Sequence, residues 1–177
     1  GVDLSVNVGK KHGDFEWNVG LVGMYYTSKN TKWDENVKYD WLKAEGEAID
    51  ALRGYQCIGF FKDAADVESS AKVNANTKPG DLKYVDQNND GVINEQDQVV
   101  LGKWGASWVM GLNLTAKYKG FTLFVAGTGS FGGKGLKNNS YMHVYGDRKY
   151  SEVVRGRWTE ETADIATYPR LTTQGGD

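Results

Sequence analysis

The stretch Asp86-Gln87-Asn88-Asn89-Asp90-Gly91-Val92-Ile93-Asn94-Glu95-Gln96-Asp97 sets oxygen-bearing side chains at alternate positions, the spacing with which a loop wraps a hard divalent cation. It fits the twelve-residue EF-hand template. Asp86, Asn88 and Asp90 at positions 1, 3 and 5 offer side-chain oxygens, Gly91 permits the sharp turn, and Val92 supplies a backbone carbonyl. Ile93 anchors the loop to apolar neighbours. Asn94 would act through a water, and Asp97 closes the site where an EF-hand usually carries the longer Glu. The pattern therefore predicts a structural Ca2+ held by Asp86, Asn88, Asp90, Val92 and Asp97. Its flanks, Leu82-Lys83-Tyr84-Val85 and Gln98-Val99-Val100-Leu101, read as extended rather than helical, so the loop has no paired EF-hand. Weak binding is expected, in the extracellular class of roughly 10⁻⁴ to 10⁻³ M. An Asx-rich surface turn that binds nothing would share this composition.

Other residue sets carry no reaction. Glu45 with Glu47, or Glu160 with Glu161, could be read as a glycosidase pair, but solvated loops explain both. His12 and His143 fall in separate loops with no nucleophile or ligand spacing between them. Gly127, Gly129, Gly132 and Gly133 surround a strand end with no helix behind them to cradle phosphate. Cys57 is the single cysteine, which excludes a disulfide framework and a CxxC pair. A net charge of -2 gives no footprint for nucleic acid. The chain is not expected to be an enzyme.

The elements that must position the loop are strands. Val2, Leu4, Val6 and Val8 alternate with Asp3, Ser5 and Asn7; after a polar turn from Gly9 to Asp14, alternation resumes as Phe15, Trp17, Val19, Leu21, Gly23 and Tyr25. Residues 1–30 thus form a hairpin. Alternation is lost over 30–105, a long connection that contains the calcium-type loop at 86–97, and connections of that length are usually functional. Residues 106–131 form a second hairpin, with Trp108, Met110, Leu112, Leu114, Ala116 and Tyr118 on one face. Its turn is Tyr118-Lys119-Gly120, and Phe121, Leu123, Val125, Gly127, Gly129 and Phe131 return. Residues 132–177 are again loop-like. With no helical period of note and proline only at Pro79 and Pro169, the fold class is all-β.

Three strands repeat an aromatic ten positions apart on one face: Phe15 and Tyr25, Trp108 and Tyr118, Phe121 and Phe131. Ten steps at about 3.3 Å span roughly 33 Å, and a tilt of about 40° projects this to roughly 25 Å. That is the height of the apolar band between the aromatic girdles of an outer-membrane barrel. The opposite faces are polar or small, as a lumen requires, with Val22, Met24 and Phe124 as exceptions. The expectation is a fragment of a transmembrane antiparallel β-barrel whose short turns are periplasmic and whose long loops are extracellular, in contact with membrane lipid. A secreted, calcium-stabilised β-sandwich that binds carbohydrate or acts as an adhesin gives the same alternation. Trp33, Trp41, Tyr55, Phe60 and Phe61 in the long loop are expected to pack among themselves rather than stack on sugars.

Lys78-Pro79-Gly80-Asp81-Leu82-Lys83-Tyr84 leads into Asp86-x-Asn88-x-Asp90-Gly91-x-Ile93, then Leu101-Gly102 and Tyr118-Lys119-Gly120-Phe121. Gly54-Tyr55 with Ile58-Gly59-Phe60-Phe61 precedes this set. Arg157-Trp158-Thr159 and Tyr168-Pro169-Arg170-Leu171 follow it. In this order the segments resemble the SusC/RagA family of TonB-dependent outer-membrane transporters, over a late part of the family's barrel. The resemblance implies import of glycans or oligopeptides across the outer membrane of a Gram-negative, Bacteroidetes-like bacterium. It also implies a SusD-type lipoprotein lid, TonB acting through an N-terminal part outside this chain, and pairing with the plug and remaining strands of the same transporter. Glu160-Glu161 stands where the family pattern has a proline after Trp158-Thr159.

Overall fold

The computed structural model describes residues 1–137, 139, 141–144, 146 and 150–172. Eight strands run through it: β1 (Val2–His12), β2 (Phe15–Tyr25), β3 (Ala51–Tyr55), β4 (Cys57–Phe60), β5 (Leu82–Tyr84), β6 (Gln98–Lys103), β7 (Trp108–Tyr118) and β8 (Phe121–Phe131). One short helix, α1 (Ala64–Ser69), starts on Asp63, whose side chain accepts the Asp66 N–H at 2.8 Å. The all-β expectation holds. β1, β2, β7 and β8 form a four-stranded antiparallel sheet in that order, while β3 pairs with β6 and β4 with β5. Four strands do not close a barrel, and β1 and β8 are open edges of this sheet among the described residues.

Two compact units emerge. The first, residues 1–36, 43–52 and 102–135, carries the four-stranded sheet. Its pairing is unbroken: Val2 faces Tyr25, Tyr25 faces Trp108, and Trp108 faces Phe131, while at the other end His12 faces Phe15, Phe15 faces Tyr118, and Tyr118 faces Phe121. Between those rows one face carries Val6, Leu21, Leu112 and Gly127 in line, then Val8, Val19, Leu114 and Val125. The other face carries Asn7, Gly20, Asn113 and Ala126, then Gly9, Asn18, Thr115 and Phe124. The apolar face is bare, with Leu4 67% and Phe121 81% exposed.

Both hairpins turn in two residues. Gly13 takes φ 59, and Lys119 and Gly120 take φ 45 and 83, the left-handed pair that matches the twist of adjoining strands. The first turn is shorter than the polar run Gly9 to Asp14 suggests, because Lys10 and Lys11 stay on the ladder opposite Trp17 and Glu16. Backbone pairing does not require apolar side chains. Tyr25 and Trp108 touch at the other end, with ring centroids 4.6 Å apart. Next to them the Tyr26 N–H donates to the Ser107 carbonyl at 3.0 Å, where the chain leaves and re-enters the sheet.

The second unit covers residues 37–42, 53–101 and 136–177, described except at 138, 140, 145, 147–149 and 173–177; those positions of the expected 132–177 loop region lie outside the described residues. It holds the buried side chains Phe61, Ile93, Val154 and Asp97. The connection 30–105 therefore contains β5 and β6 where the flanks of the calcium-type loop read as extended, and β3, β4 and α1 where no regular structure was expected. Its strands are too short for an alternation to register in sequence, and its turns supply the rest.

The family-like segments meet in this unit. The Phe61 N–H donates to the Asp81 carbonyl at 3.0 Å and the Gly80 N–H to the Phe61 carbonyl at 2.8 Å. The Arg170 N–H then donates to the Gly80 carbonyl at 2.9 Å, and the Trp158 N–H to the Tyr168 carbonyl at 2.8 Å. Arg170 also holds the Asp81 carboxylate, from Nη2 at 3.0 Å and Nε at 2.5 Å. Gly80 has φ +87, and a Cβ there would lie 2.5 Å from the Trp158 ring and 2.9 Å from Arg170 Cβ. Only glycine fits this crossing. Gly80→Ala is therefore expected to destabilise the clasp by about 1–3 kcal/mol or more. Amide exchange should accelerate at Phe61 and Arg170, and adding Trp158→Ala should relieve the ring clash but leave the backbone strain.

Candidate cation loop

The loop between β5 and β6 is built by side-chain oxygens that capture backbone N–H groups. Asp86 accepts from Asp90 N at 3.3 Å through Oδ1 and from Gly91 N at 2.8 Å through Oδ2. Asn88 Oδ1 accepts from Asp90 N at 3.0 Å, and Asp90 Oδ1 from Val92 N at 2.9 Å. These are successive Asx turns, in which short polar side chains replace a backbone ladder. Asn89 and Gly91, at φ 57 and 84, provide the left-handed steps.

Beyond Gly91 the loop is anchored. Ile93 is buried, and its N–H donates to the Lys72 carbonyl at 3.0 Å, as an apolar anchor should. Asn94 caps the 3₁₀ turn Glu95–Asp97 by accepting from Gln96 N at 2.9 Å. Asp97 is fully buried, with Oδ1 accepting from Gln87 N at 2.9 Å and Oδ2 from Asn94 N at 2.8 Å. One carboxylate thus ties the first turn of the loop to its last.

The structure brings Asp86, Asn88, Asp90, Val92 and Asp97 into one hydrogen-bonded loop. Among the described residues no three Asp, Glu, His or Cys side chains form a ready group for a metal. The donor set is mixed, two carboxylates and an amide along the first turn, and each oxygen that accepts one N–H keeps a second lone pair. Hard oxygens of this kind fit calcium by chemistry. The Val92 carbonyl accepts only a long contact from Asn94 Nδ2, at 3.4 Å.

Two partners had no local signal in the sequence. Gln96 accepts from Asn88 Nδ2 at 3.2 Å through its side chain and from Trp41 Nε1 at 2.8 Å through its carbonyl. Trp41 stacks on Tyr39 with centroids 4.5 Å apart, and Lys38 lies 4.8 Å from the Tyr39 ring centre. Of the aromatics expected to pack among themselves, Trp41 stacks on Tyr39, Tyr55 lies against Tyr84 and Phe61 is buried, whereas Trp33 is exposed.

The charges follow the hydrogen bonds. The Val92 N–H, then the Asn88 amide, hold the Asp90 carboxyl below its ordinary value, with a smaller contribution from Lys38. Lys83, at 2.6 Å, does the same for Asp66, helped by the Lys62 N–H. Glu160 and Glu161 are exposed in a turn, and His12 ends β1 beside the apolar face.

With the geometry described, the relatives can be set beside it. No family model matches the chain. It is similar to TonB-dependent receptor P26 of Formosa agariphila, 31% identical over 137 residues that make up 75% of this chain and 13% of that receptor. It is also similar to TonB-dependent receptor P3 of the same organism, 29% identical over 90 residues, 51% of this chain and 9% of that receptor. Together the two likenesses support a TonB-dependent receptor family for the chain, which spans only a small part of either relative.

Removing Asp97 tests the frame of the loop apart from any cation. Asp97→Ala leaves the N–H groups of Gln87 and Asn94 unpaired in a buried site, at a cost of about 1–3 kcal/mol each. Amide exchange at those two positions should rise well above that of β7.

Proposed function

We propose that this chain is a late barrel segment of a SusC/RagA-type importer in the outer membrane of a Gram-negative bacterium, taking up glycans or oligopeptides beneath a SusD-type lid. One observation carries the reading: two rows of aromatics run in register across a continuous sheet, with an uncovered aliphatic band between them and a polar opposite face. Lipid would cover that band. The likeness to TonB-dependent receptors and the order of the clasp segments support the same reading. In this reading the turns at Gly13 and Lys119 are periplasmic, the connection between β2 and β7 is extracellular, and β1 and β8 pair with further strands of the transporter. Energy would reach the transporter from TonB through its N-terminal part, and the segment itself performs no catalysis.

The test compares the faces in the whole transporter folded into lipid vesicles. Leu112→Arg, in the middle of the apolar face, should cost about 2–4 kcal/mol of folding stability, whereas Asn113→Arg on the polar face should cost much less. Equal costs would sink the membrane reading.

Calcium is the proposed clip of the loop, held by Asp86, Asn88, Asp90 and the Val92 carbonyl, with Asp97 closing the turn behind them. When bound, it would draw these oxygens together and order the loop, with no part in transport chemistry. A lowered Asp90 value means that protons compete with the cation for this carboxylate only below the usual aspartate range. The ionised-state stabilisation is complete above about pH 4 and is lost as pH falls through the lowered value. Calcium titration by calorimetry should therefore find the Asp90 contribution intact at neutral pH and lost only below the ordinary aspartate range. Asp90→Asn should weaken binding at every pH.

A further inference from the structure

On the apolar face of the four-stranded sheet the two ends differ in charge. At the turn end the last row is His12, Phe15, Tyr118 and Phe121, and the row inside it is Lys10, Trp17, Ala116 and Leu123. The β7–β8 turn adds Lys119, whose Nζ lies 5.5 Å from the Tyr118 ring centre. At the opposite end the two matching rows, Val2-Tyr25-Trp108-Phe131 and Leu4-Gly23-Met110-Gly129, contain no cationic side chain. Beyond those rows Lys103 Nζ lies 5.0 Å from the Tyr26 ring centre, so only the turn end carries a cation within the apolar face itself.

Little at that rim neutralises them. Glu16 points to the polar face and pairs with Lys117 at 3.3 Å, and Asp14 sits in the turn. Among the described residues neither Lys10 nor Lys119 is held by a carboxylate. Ala116 on β7 lies two strand spacings, roughly 10 Å, from Lys10, and Lys119 lies three residues further along; two lysine side chains span the resulting separation of roughly 14 Å to one small anion. Lys10, one row inside the aromatics, is the cross-strand neighbour of Trp17, and a lysine stem is long enough to carry its ammonium to the level of the aromatic row.

Resting on the membrane reading above, we propose that this rim binds the phosphate of an anionic phospholipid. Lys10 and Lys119 hold the phosphate, while Phe15, Trp17, Tyr118 and Phe121 pack against the glycerol and the upper acyl chains. Charge complementarity selects the occupant: a cationic, aromatic-bordered edge at the end of an apolar band matches a lipid headgroup at the end of its hydrocarbon. The interaction locks the depth of the turns at one leaflet.

The experiment uses the whole transporter, reconstituted in nanodiscs that mix phosphatidylcholine with phosphatidylglycerol, and native mass spectrometry counts the lipids it retains. Lys10→Gln and Lys119→Gln should each lower retention of phosphatidylglycerol at the tightest sites by about fivefold, the effect of one cation near an anionic surface. Lys10→Arg should preserve it, and excess inorganic phosphate should leave it unchanged. Unaltered retention in both glutamine variants would overturn the proposal, as would competition by free phosphate. A transporter that inserts and shows no such dependence defeats this inference alone; one that does not insert defeats the membrane reading as well.

Discussion

The register of β1, β2, β7 and β8 is the constraint on which the first unit depends. Side chains alternate with a period of two, so a slip of one residue in any pairing would move Val19, Leu21, Leu112 and Leu114 to the polar face and Asn18, Asn113 and Thr115 to the apolar one. Two-residue turns at both hairpins leave no slack for a slip. The β1–β2 and β7–β8 pairings are fixed twice, by hydrogen-bond geometry at the turns and by the solvent preference of each face, whereas β2–β7 rests on the faces and on the ladder itself. Such a sheet has no side-chain core. Its apolar face is satisfied only by something outside it, and this distinguishes it from a sheet folded over a partner layer.

The second unit meets the same requirement, that every backbone polar group find a partner, with side chains in place of a ladder. In the Asp86 to Asp97 loop, Asx turns supply acceptors for successive N–H groups, and Asp97 closes the circuit from a fully buried position. Asp97 therefore has a role that precedes any cation. Reading it only as a ligand understates it, because two backbone donors in a buried site depend on its carboxylate. Gln96 extends the circuit to Trp41, so the frame of the loop draws on a segment far away in sequence.

Segments that look unrelated along the chain are the parts of one clasp. Phe61, Gly80 with Asp81, Trp158 and Arg170 exchange backbone hydrogen bonds and an ion pair around a glycine with no room for a side chain. The contact is made between backbones and through a single ring face, so it leaves no periodic signature along the chain.

The four long strands were legible in the sequence because eleven-residue strands in a one-sided environment must alternate, and the loop was legible because a tight turn needs Asp, Asn and Gly at fixed places. Ile93 could be named as the anchor for the same reason. Residues without a periodic or local signature could not be read. β3 and β4 are five and four residues long, too short to show a period, and Lys10 and Lys11 look like turn residues although the ladder carries them. Trp41 on Gln96 and Trp158 on Gly80 join positions that only the folded chain brings together. The sequence by itself determined which residues share a face and which oxygens line the loop, because both are fixed by neighbours a few residues away. Tertiary structure alone decided that the aromatics form continuous rows, that Asp97 is buried between two N–H groups, and that Lys10 lies on the apolar face one row inside the aromatics. Each of these depends on register or burial between segments that no local pattern specifies.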